Sequence, residues 1–363
     1  METPDLPFSP KALDELRKKV LAWYGRSARD LPWRRTRDPY RIWLSEIMLQ
    51  QTRVETVKPY YHRFLERFPT VEALAAAPED EVLGAWSGLG YYARARSLHR
   101  AARTVVERWG GELPADGDAL RELPGFGPYT AAAVGSIAFG LPMAAVDGNI
   151  ARVLSRWLCL EGDPREPARM AELRRRAAEL LPTERAGDWN QALMELGATL
   201  CGPRRPACLV CPAAAHCIAR KEGKEGVIPA RRPSRERPIV RMAAALVRRG
   251  ESVLLAKRPP EGLFASLWEL PSVEVDEADD PREALARYLG PEVGEEIGRA
   301  EQVLTHRELR VVVYRLHPPR PLGIREPYVE FRWVDPEGEL PGGLSSAARK
   351  ALASAGIRFA KDV

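Results

Sequence analysis

Four of the chain's five cysteines stand close together, Cys201, Cys208, Cys211 and Cys217, in the spacing Cys-x6-Cys-x2-Cys-x5-Cys. Clustered thiolates suit a soft metal, and four of them match the ligand count of a [4Fe–4S] cluster. A structural zinc site also takes four cysteines, usually as two short Cys-x2–4-Cys pairs. Here only Cys208 and Cys211 form such a pair. Disulfides are a third reading, disfavoured by the length of the chain and by a charged opening, METPDLPFSPKALDELRKK, that does not read as a secretory leader. Cys159, in the apolar run RVLSRWLCL, reads as a buried thiol rather than a fifth ligand.

Two carboxylates are placed for acid chemistry. Glu46, in WLSEIMLQQT, is followed directly by Ile47, Met48 and Leu49. Apolar surroundings disfavour its ionised form, raise its pKa and prepare it to deliver a proton. Asp147, in AVDGNIARV, precedes Gly148 at the start of a helix, where an N-cap is the structural alternative. Two carboxylates in opposed environments are able to divide acid and electrostatic roles at a glycosidic bond. In LPGFGPYTAAAV, Gly125 and Gly127 form a turn opening an alanine-rich helix. Left-handed backbone angles there bring N–H groups and a helix N-terminus against a phosphate without reading sequence.

The elements that must hold these residues divide the chain. Helical spacing of apolar residues runs through PKALDELRKKVLAWYGR, YRIWLSEIMLQQTRVETVKPYYHRFLERF, VEALAAAPEDEVLGAW, YYARARSLHRAARTVVERWG, YTAAAVGSIAFG and NIARVLSRWLCL. Residues 1–221 are therefore expected to be an almost entirely helical domain. EGKEGVIPARRPSRERP, residues 222–238, lacks either periodicity and reads as a linker. From 239 to 363, VRMAAALVRR, SVLLAKR, LWELPSVEV, LRVVVYRLH and VEFRWVD read as strands, with PREALARYLG and SSAARKALASAG as helices, giving a small α+β domain with a mixed or antiparallel sheet. That domain holds 18 Lys and Arg against 20 Asp and Glu, leaving 37 against 30 in the rest of the chain, so the positive charge lies with the cysteines and favours a polyanionic partner. No apolar run approaches the ~20 residues that cross a bilayer, and a soluble, cytoplasmic protein without membrane association is expected.

WLSEIMLQQT, GLGYYARAR, LPGFGPYT, VDGN and the four-cysteine spacing, in this order along the chain, together resemble the MutY-type adenine DNA glycosylases of the endonuclease III, helix-hairpin-helix superfamily. The resemblance implies a multidomain fold, an all-α helix-hairpin-helix core with six-helix and iron–sulfur subdomains followed by a Nudix-like domain. It also implies base excision repair of adenine opposite 8-oxoguanine or guanine in double-stranded DNA, with a [4Fe–4S] cluster on the four cysteines. By position, Glu46 matches the acid that protonates adenine, and Asp147 the carboxylate that stabilises or captures the oxocarbenium-like sugar. Asn149 matches a residue holding the catalytic network, and Tyr129 a tyrosine beside Asp147. Bifunctional relatives carry a lysine at position 129 that forms a Schiff base, so tyrosine there implies a monofunctional enzyme that leaves an abasic site. Arg29, Trp33 and Gln191 fall at the adenine pocket. Tyr91 matches an intercalating wedge, with Gln50, Gln51, Thr52 and Leu89 contacting the opened pair.

The C-terminal part resembles a Nudix fold without the Gly-x5-Glu-x7-Arg-Glu-x2-Glu-Glu segment, so no magnesium-dependent hydrolysis is expected. Its implied task is reading 8-oxoguanine. The family's Phe-Ser-His loop is replaced by Leu304-Thr305-His306, in which Thr305 and His306 keep the hydrogen-bonding groups. A monomer, associated with the nucleoid when bound to DNA, is expected.

Overall fold

The computed structural model describes residues 6–230, 236–317, 322 and 326–359; residues 231–235 of the expected linker lie outside the described residues. The chain divides into two compact units, Met1–Tyr61, Thr70–Glu72 and Arg100–Ser234 in the first, His62–Pro69, Ala73–His99 and Arg235–Val363 in the second. No helix among the described residues is long and apolar enough to cross a membrane.

The helices up to residue 221 are α1 (Pro10–Ser27), α2 (Pro39–Leu49), α3 (Val54–Arg67), α4 (Val71–Ala76), α5 (Glu79–Ala85), α6 (Ala93–Trp109), α7 (Gly117–Glu122), α8 (Pro128–Phe139), α9 (Gly148–Trp157), α10 (Pro167–Leu180), α11 (Ala186–Thr199) and α12 (Ile218–Lys221). Their starts follow local chemistry. Ser9, Asp38, Asp116 and Asp147 accept backbone N–H groups as N-caps, and proline occupies the first turn of α1, α2, α8 and α10. The long stretch from 40 to 68, which reads as one helical run, is interrupted between α2 and α3, where Gln51 turns left-handed (φ 56°). VEALAAAPEDEVLGAW likewise splits at Pro78 into α4 and α5.

In the first unit α2 packs on α8, and both α8 and α9 pack on α11. A core of Leu154, Trp157, Leu173, Leu180, Trp189, Leu193 and Leu196 unites α9, α10 and α11, each large side chain contributing about 1.5–3 kcal/mol when removed from water. Two glycines on α11 set how closely its neighbours come. A Cβ on Gly187 would lie 2.4 Å from the Ser136 carbonyl oxygen on α8, and one on Gly197 would lie 2.6 Å from the Asn149 Cβ on α9. These contacts bring the start of α9, with Asp147, up to the helices that carry Glu46 and Tyr129.

The second unit contains β1 (Ile239–Arg249), β2 (Ser252–Lys257), β3 (Trp268–Glu269), β4 (Ser272–Val275), α13 (Pro281–Leu289), β5 (Val293–Val303), β6 (Glu308–Leu316), β7 (Glu330–Val334) and α14 (Ser346–Ser354). The sheet is mixed. β1 runs parallel to β6 and antiparallel to β4, β5 pairs antiparallel with β6, and β2 pairs antiparallel with β1, β3 and β7. Ala244 and Leu246 belong to the cluster with α14, while Ala243, Ala245 and Val247 belong to the cluster with α13. Both faces of β1 are covered, hence its continuous apolar run. The segment before α6 is tied to this unit: Ser87 exchanges hydrogen bonds with the Leu344 backbone (2.9 and 3.0 Å), Tyr92 donates to the Leu344 carbonyl (2.6 Å), and Lys257 pairs with Asp80 (2.6 Å).

Candidate active site

A cavity of about 760 Å³ opens in the first unit, lined by Arg29, Trp33, Glu46, Gln50, Gln51, Thr52, Tyr129, Asp147, Asn149 and Gln191 together with Arg34, Arg152, Met194 and Glu195. It lies in the size range of small-ligand sites. α2 delivers Glu46, α8 delivers Tyr129, and Asp147 and Asn149 open α9.

Glu46 is only 6% exposed. The Tyr129 hydroxyl donates to its Oε2 at 2.6 Å and lies 3.7 Å from the Met194 sulfur. Burial pushes the Glu46 carboxyl up to about 7; the Tyr129 hydrogen bond opposes the rise, and Asp147 adds to it. Burial, then the charges of Glu46 and Asp147, hold the Tyr129 phenol well above its usual range, so it remains a donor. The tyrosine's hydrogen bond is thus to Glu46 and not to Asp147.

Asp147 is both N-cap and cavity wall. Its Oδ1 accepts the Ile150 N–H (2.7 Å) and its Oδ2 the Asn149 side-chain amide (2.9 Å). Burial raises its pKa, against the backbone N–H groups of Ile150 and Asn149 and the Asn149 side chain. Burial therefore lifts both carboxyls, and their environments differ in donors: Asp147 is met by several N–H groups, Glu46 by one hydroxyl. The Asn149 Oδ1 accepts from Arg152 (2.9 Å), whose guanidinium also reaches the carbonyls of Gly197 and Cys201 (2.8 Å each).

Arg29 is not a free surface charge. Its guanidinium grips the Glu195 carboxylate at 2.7 and 2.8 Å, and Arg34 reaches the same carboxylate at 2.7 Å. Burial alone would raise Glu195, but Arg29 and Arg34 outweigh it and hold the carboxyl down to about 2. Trp33 is buried edge-on against Tyr61, ring centroids 5.4 Å apart. Gln191 reaches the Gly187 carbonyl (3.4 Å) on its own helix. Sequence reasoning passed over Arg34 and Glu195, although Glu195 stands between Met194 and Leu196 much as Glu46 stands among apolar neighbours.

Gln50, Gln51 and Thr52 fall on the α2–α3 turn at the cavity, and Gln50 donates to Thr130 (3.3 Å). In the hairpin turn between α7 and α8, Gly125 is left-handed (φ 81°). Gly127 corrects the expectation: it is extended (φ −76°, ψ 175°) as the N-cap of α8, where the helix start, not a left-handed residue, sets the geometry.

All five cysteines are free thiols. Cys201, Cys208, Cys211 and Cys217 line one cavity with Arg156, Arg220 and Glu225. No three described His, Cys, Asp or Glu side chains form a group that would hold a single metal ion. The donor set still fits a thiolate-bound group larger than one ion: four cysteines line a shared space, and buried Arg156 donates to the Cys201 sulfur (3.1 Å) and the Gly202 carbonyl (2.8 Å). Burial pushes the Cys211 and Cys217 thiols up to about 11, so thiolates there call for a cationic partner. Cys159 departs from its expected burial. It sits just past α9, left-handed (φ 51°) and half-buried, with its thiol 3.4 Å from Glu222.

In the second unit Tyr91, Leu304, Thr305 and His306 line a separate cavity of about 610 Å³. Tyr91 is 45% exposed, left-handed (φ 49°), and its hydroxyl lies 2.6 Å from the Thr305 hydroxyl. Arg94 braces the turn by donating to the carbonyls of Leu89 and Gly90 (3.3 and 3.1 Å) and by lying over the Tyr91 and Trp86 rings. Leu89 itself is buried.

A helical hairpin beside two carboxylates in a cavity large enough for a small ligand, with a mixed sheet packed between helices in a second unit, has counterparts among known proteins. Residues 44–179 match the HhH-GPD superfamily of base excision DNA repair proteins and residues 242–354 the NUDIX domain. The class is therefore a helix-hairpin-helix base excision glycosylase with a Nudix-like domain. The adenine DNA glycosylase of Homo sapiens is 35% identical over 93% of this chain and 73% of its own length, and that of Mycolicibacterium smegmatis 43% identical over 60% and 73%. The solved structure of a thermostable thymine-DNA glycosylase, 33% identical, matches with a TM-score of 0.53 over 58% of this chain and 98% of its own. The chain belongs to the adenine DNA glycosylase family, enzymes of base excision repair that hydrolyse N-glycosyl bonds.

Proposed function

We propose that the protein removes adenine mispaired with 8-oxoguanine or guanine in double-stranded DNA and leaves an abasic site. The observation that carries this reading is the buried Glu46 carboxyl under the Tyr129 hydroxyl. Held up to about 7, Glu46 retains a proton near neutral pH. Because Tyr129 donates to Oε2, that proton belongs on Oε1, free to reach N7 of an adenine flipped into the cavity. The C1′–N9 bond then breaks with its electron pair leaving on the neutral base. Asp147, its ionised form supported by N–H donors, answers the positive charge at C1′ by charge or by a transient bond. Water adds at C1′ and releases a proton. Arg29, Trp33 and Gln191 shape the adenine pocket, and Asn149 holds Asp147.

Tyr129 offers no amine for a Schiff base, so strand cleavage is not part of the reaction. The four cysteines would hold a [4Fe–4S] cluster, which when bound cross-links their thiolates and contributes nothing at the glycosidic bond. The loop it ties presents exposed Arg204 and Arg205 to phosphates, and the hairpin of Gly125 and Gly127 offers backbone N–H groups to another. Tyr91 fills the gap left by the flipped base with Gln50, Gln51, Thr52 and Leu89 around the opened pair, and Thr305 and His306 read the 8-oxoguanine. The protein acts as a cytoplasmic monomer, associated with the nucleoid on DNA.

Likeness to a thymine-DNA glycosylase makes thymine release from guanine:thymine the competing reading. Base release from 8-oxoguanine:adenine, guanine:adenine and guanine:thymine duplexes separates the two. Adenine is expected to be released, fastest opposite 8-oxoguanine, with that preference reduced by His306→Ala and no covalent adduct trapped by borohydride. Thymine release, or efficient trapping, would overturn the reading.

A further inference from the structure

Between β2 and β3 the backbone is left-handed at three residues, Gly262 (φ 84°), Phe264 (57°) and Ser266 (60°). For a bulky side chain such as Phe264 that region is a genuine outlier, of the kind that persists only where surrounding structure over-determines it. It is over-determined here. Ser266 N–H donates to the Pro259 carbonyl (2.9 Å), Leu267 N–H to the Phe264 carbonyl (3.0 Å), and the Arg96 guanidinium to the Ala265 carbonyl (2.8 Å). Phe264 is half-buried and borders a cavity on the sheet face with Met242, Leu270, Val311 and Ala348. It also lines the cavity shared by Tyr91, Leu304, Thr305, His306 and Arg307.

We propose that Phe264 is a specificity-determining residue for the damaged base, the aromatic wall against which it is read. This rests on the lesion reading proposed above. 8-Oxoguanine differs from guanine by one oxygen and one N–H on the same edge. Hydrogen bonds from exposed Thr305 and His306 discriminate weakly in open water, because each replaces a bond to solvent. A ring beside the base excludes that water and adds stacking surface. The turn from 302 to 307 has no aromatic carbocycle of its own, Leu304 being its large apolar residue, and Phe264 supplies one from a neighbouring loop fixed in advance.

The test is the affinity of the full-length protein for duplexes carrying a stable abasic-site analogue opposite either 8-oxoguanine or guanine. Phe264→Ala should lower the preference for the 8-oxoguanine duplex about tenfold, the scale of one discriminating hydrogen bond no longer shielded from water, and Phe264→Trp should retain it. A variant of normal thermal stability with unchanged preference, or one weakened equally on both duplexes, overturns the proposal. Should Phe264→Ala not fold, Phe264→Leu keeps the bulk without the ring and must also lose preference; full preference in that variant overturns the proposal. A wild-type protein that binds both duplexes equally would instead overturn the lesion reading.

Discussion

At Glu46 the folded chain holds a proton that an exposed carboxyl would release. Its pKa, raised from the ordinary 4.5 to about 7 chiefly by burial, has two consequences. In its proposed role as acid Glu46 acts protonated, so the single-turnover rate of adenine release should fall as pH rises through about 7, and Glu46→Gln should remove that limb with most of the activity. The folded state also binds this proton more tightly than the unfolded state does. The stability linked to Glu46 is therefore complete below pH 4.5 and is lost as pH rises toward 7, by about 3 kcal/mol. Chemical denaturation across that range should show the slope in wild type and its absence in Glu46→Gln. Glu195 behaves oppositely. Its carboxyl is held down to about 2, so its contribution is present above pH 4.5 and is lost on acidification toward 2. Glu195→Gln should cost about 2 kcal/mol in urea unfolding at pH 7, below the 3–5 of a fully buried pair because Arg29 keeps contact with water. Glu46 was legible in the sequence because its apolar neighbours are adjacent along the chain. The Arg29–Arg34–Glu195 group was not, since its members meet only after α11 folds back over 160 residues later.

At the scale of elements, α11 governs how the site is assembled. Gly197 lies where a methyl group would fall 2.6 Å from the Asn149 Cβ, so Gly197→Ala should push the start of α9 outward. A stability loss of about 1–3 kcal/mol, typical of overpacking, should accompany a larger proportional loss of adenine release, measured by thermal unfolding and single-turnover kinetics on one preparation. The cysteine loop makes a separate prediction: purified protein should contain iron and acid-labile sulfide in equal amounts and no zinc. The sequence revealed most elements through periodicity and caps. It hid β5, whose VGEEIGRAEQV pattern carries charges and two glycines because the strand is an irregular sheet edge with register shifts near Glu296. It also hid the break after α2, because Gln50-Gln51-Thr52 contains neither glycine nor proline and the left-handed turn at Gln51 arises from tertiary context.

Over the whole molecule the change near residue 239 from helical spacing to short runs rich in β-branched and aromatic residues gave the fold class, an all-helical part followed by an α+β part, because each pattern extends over many residues. What the linear pattern missed is that residues 73–99 cluster with the C-terminal sheet, through bonds such as Ser87 to Leu344 that span 257 positions. Asp147 and Glu46 are proposed to act together on one glycosidic bond inside the first unit's cavity. Asp147 also caps α9 through the Ile150 N–H, and asparagine can retain that cap while losing the charge. The most direct measurement is therefore the single-turnover rate of adenine release from an 8-oxoguanine:adenine duplex by Asp147→Asn, with duplex affinity determined on the same protein. Near-complete loss of release with affinity retained is expected; release close to the wild-type rate would contradict the joint action of the two carboxylates.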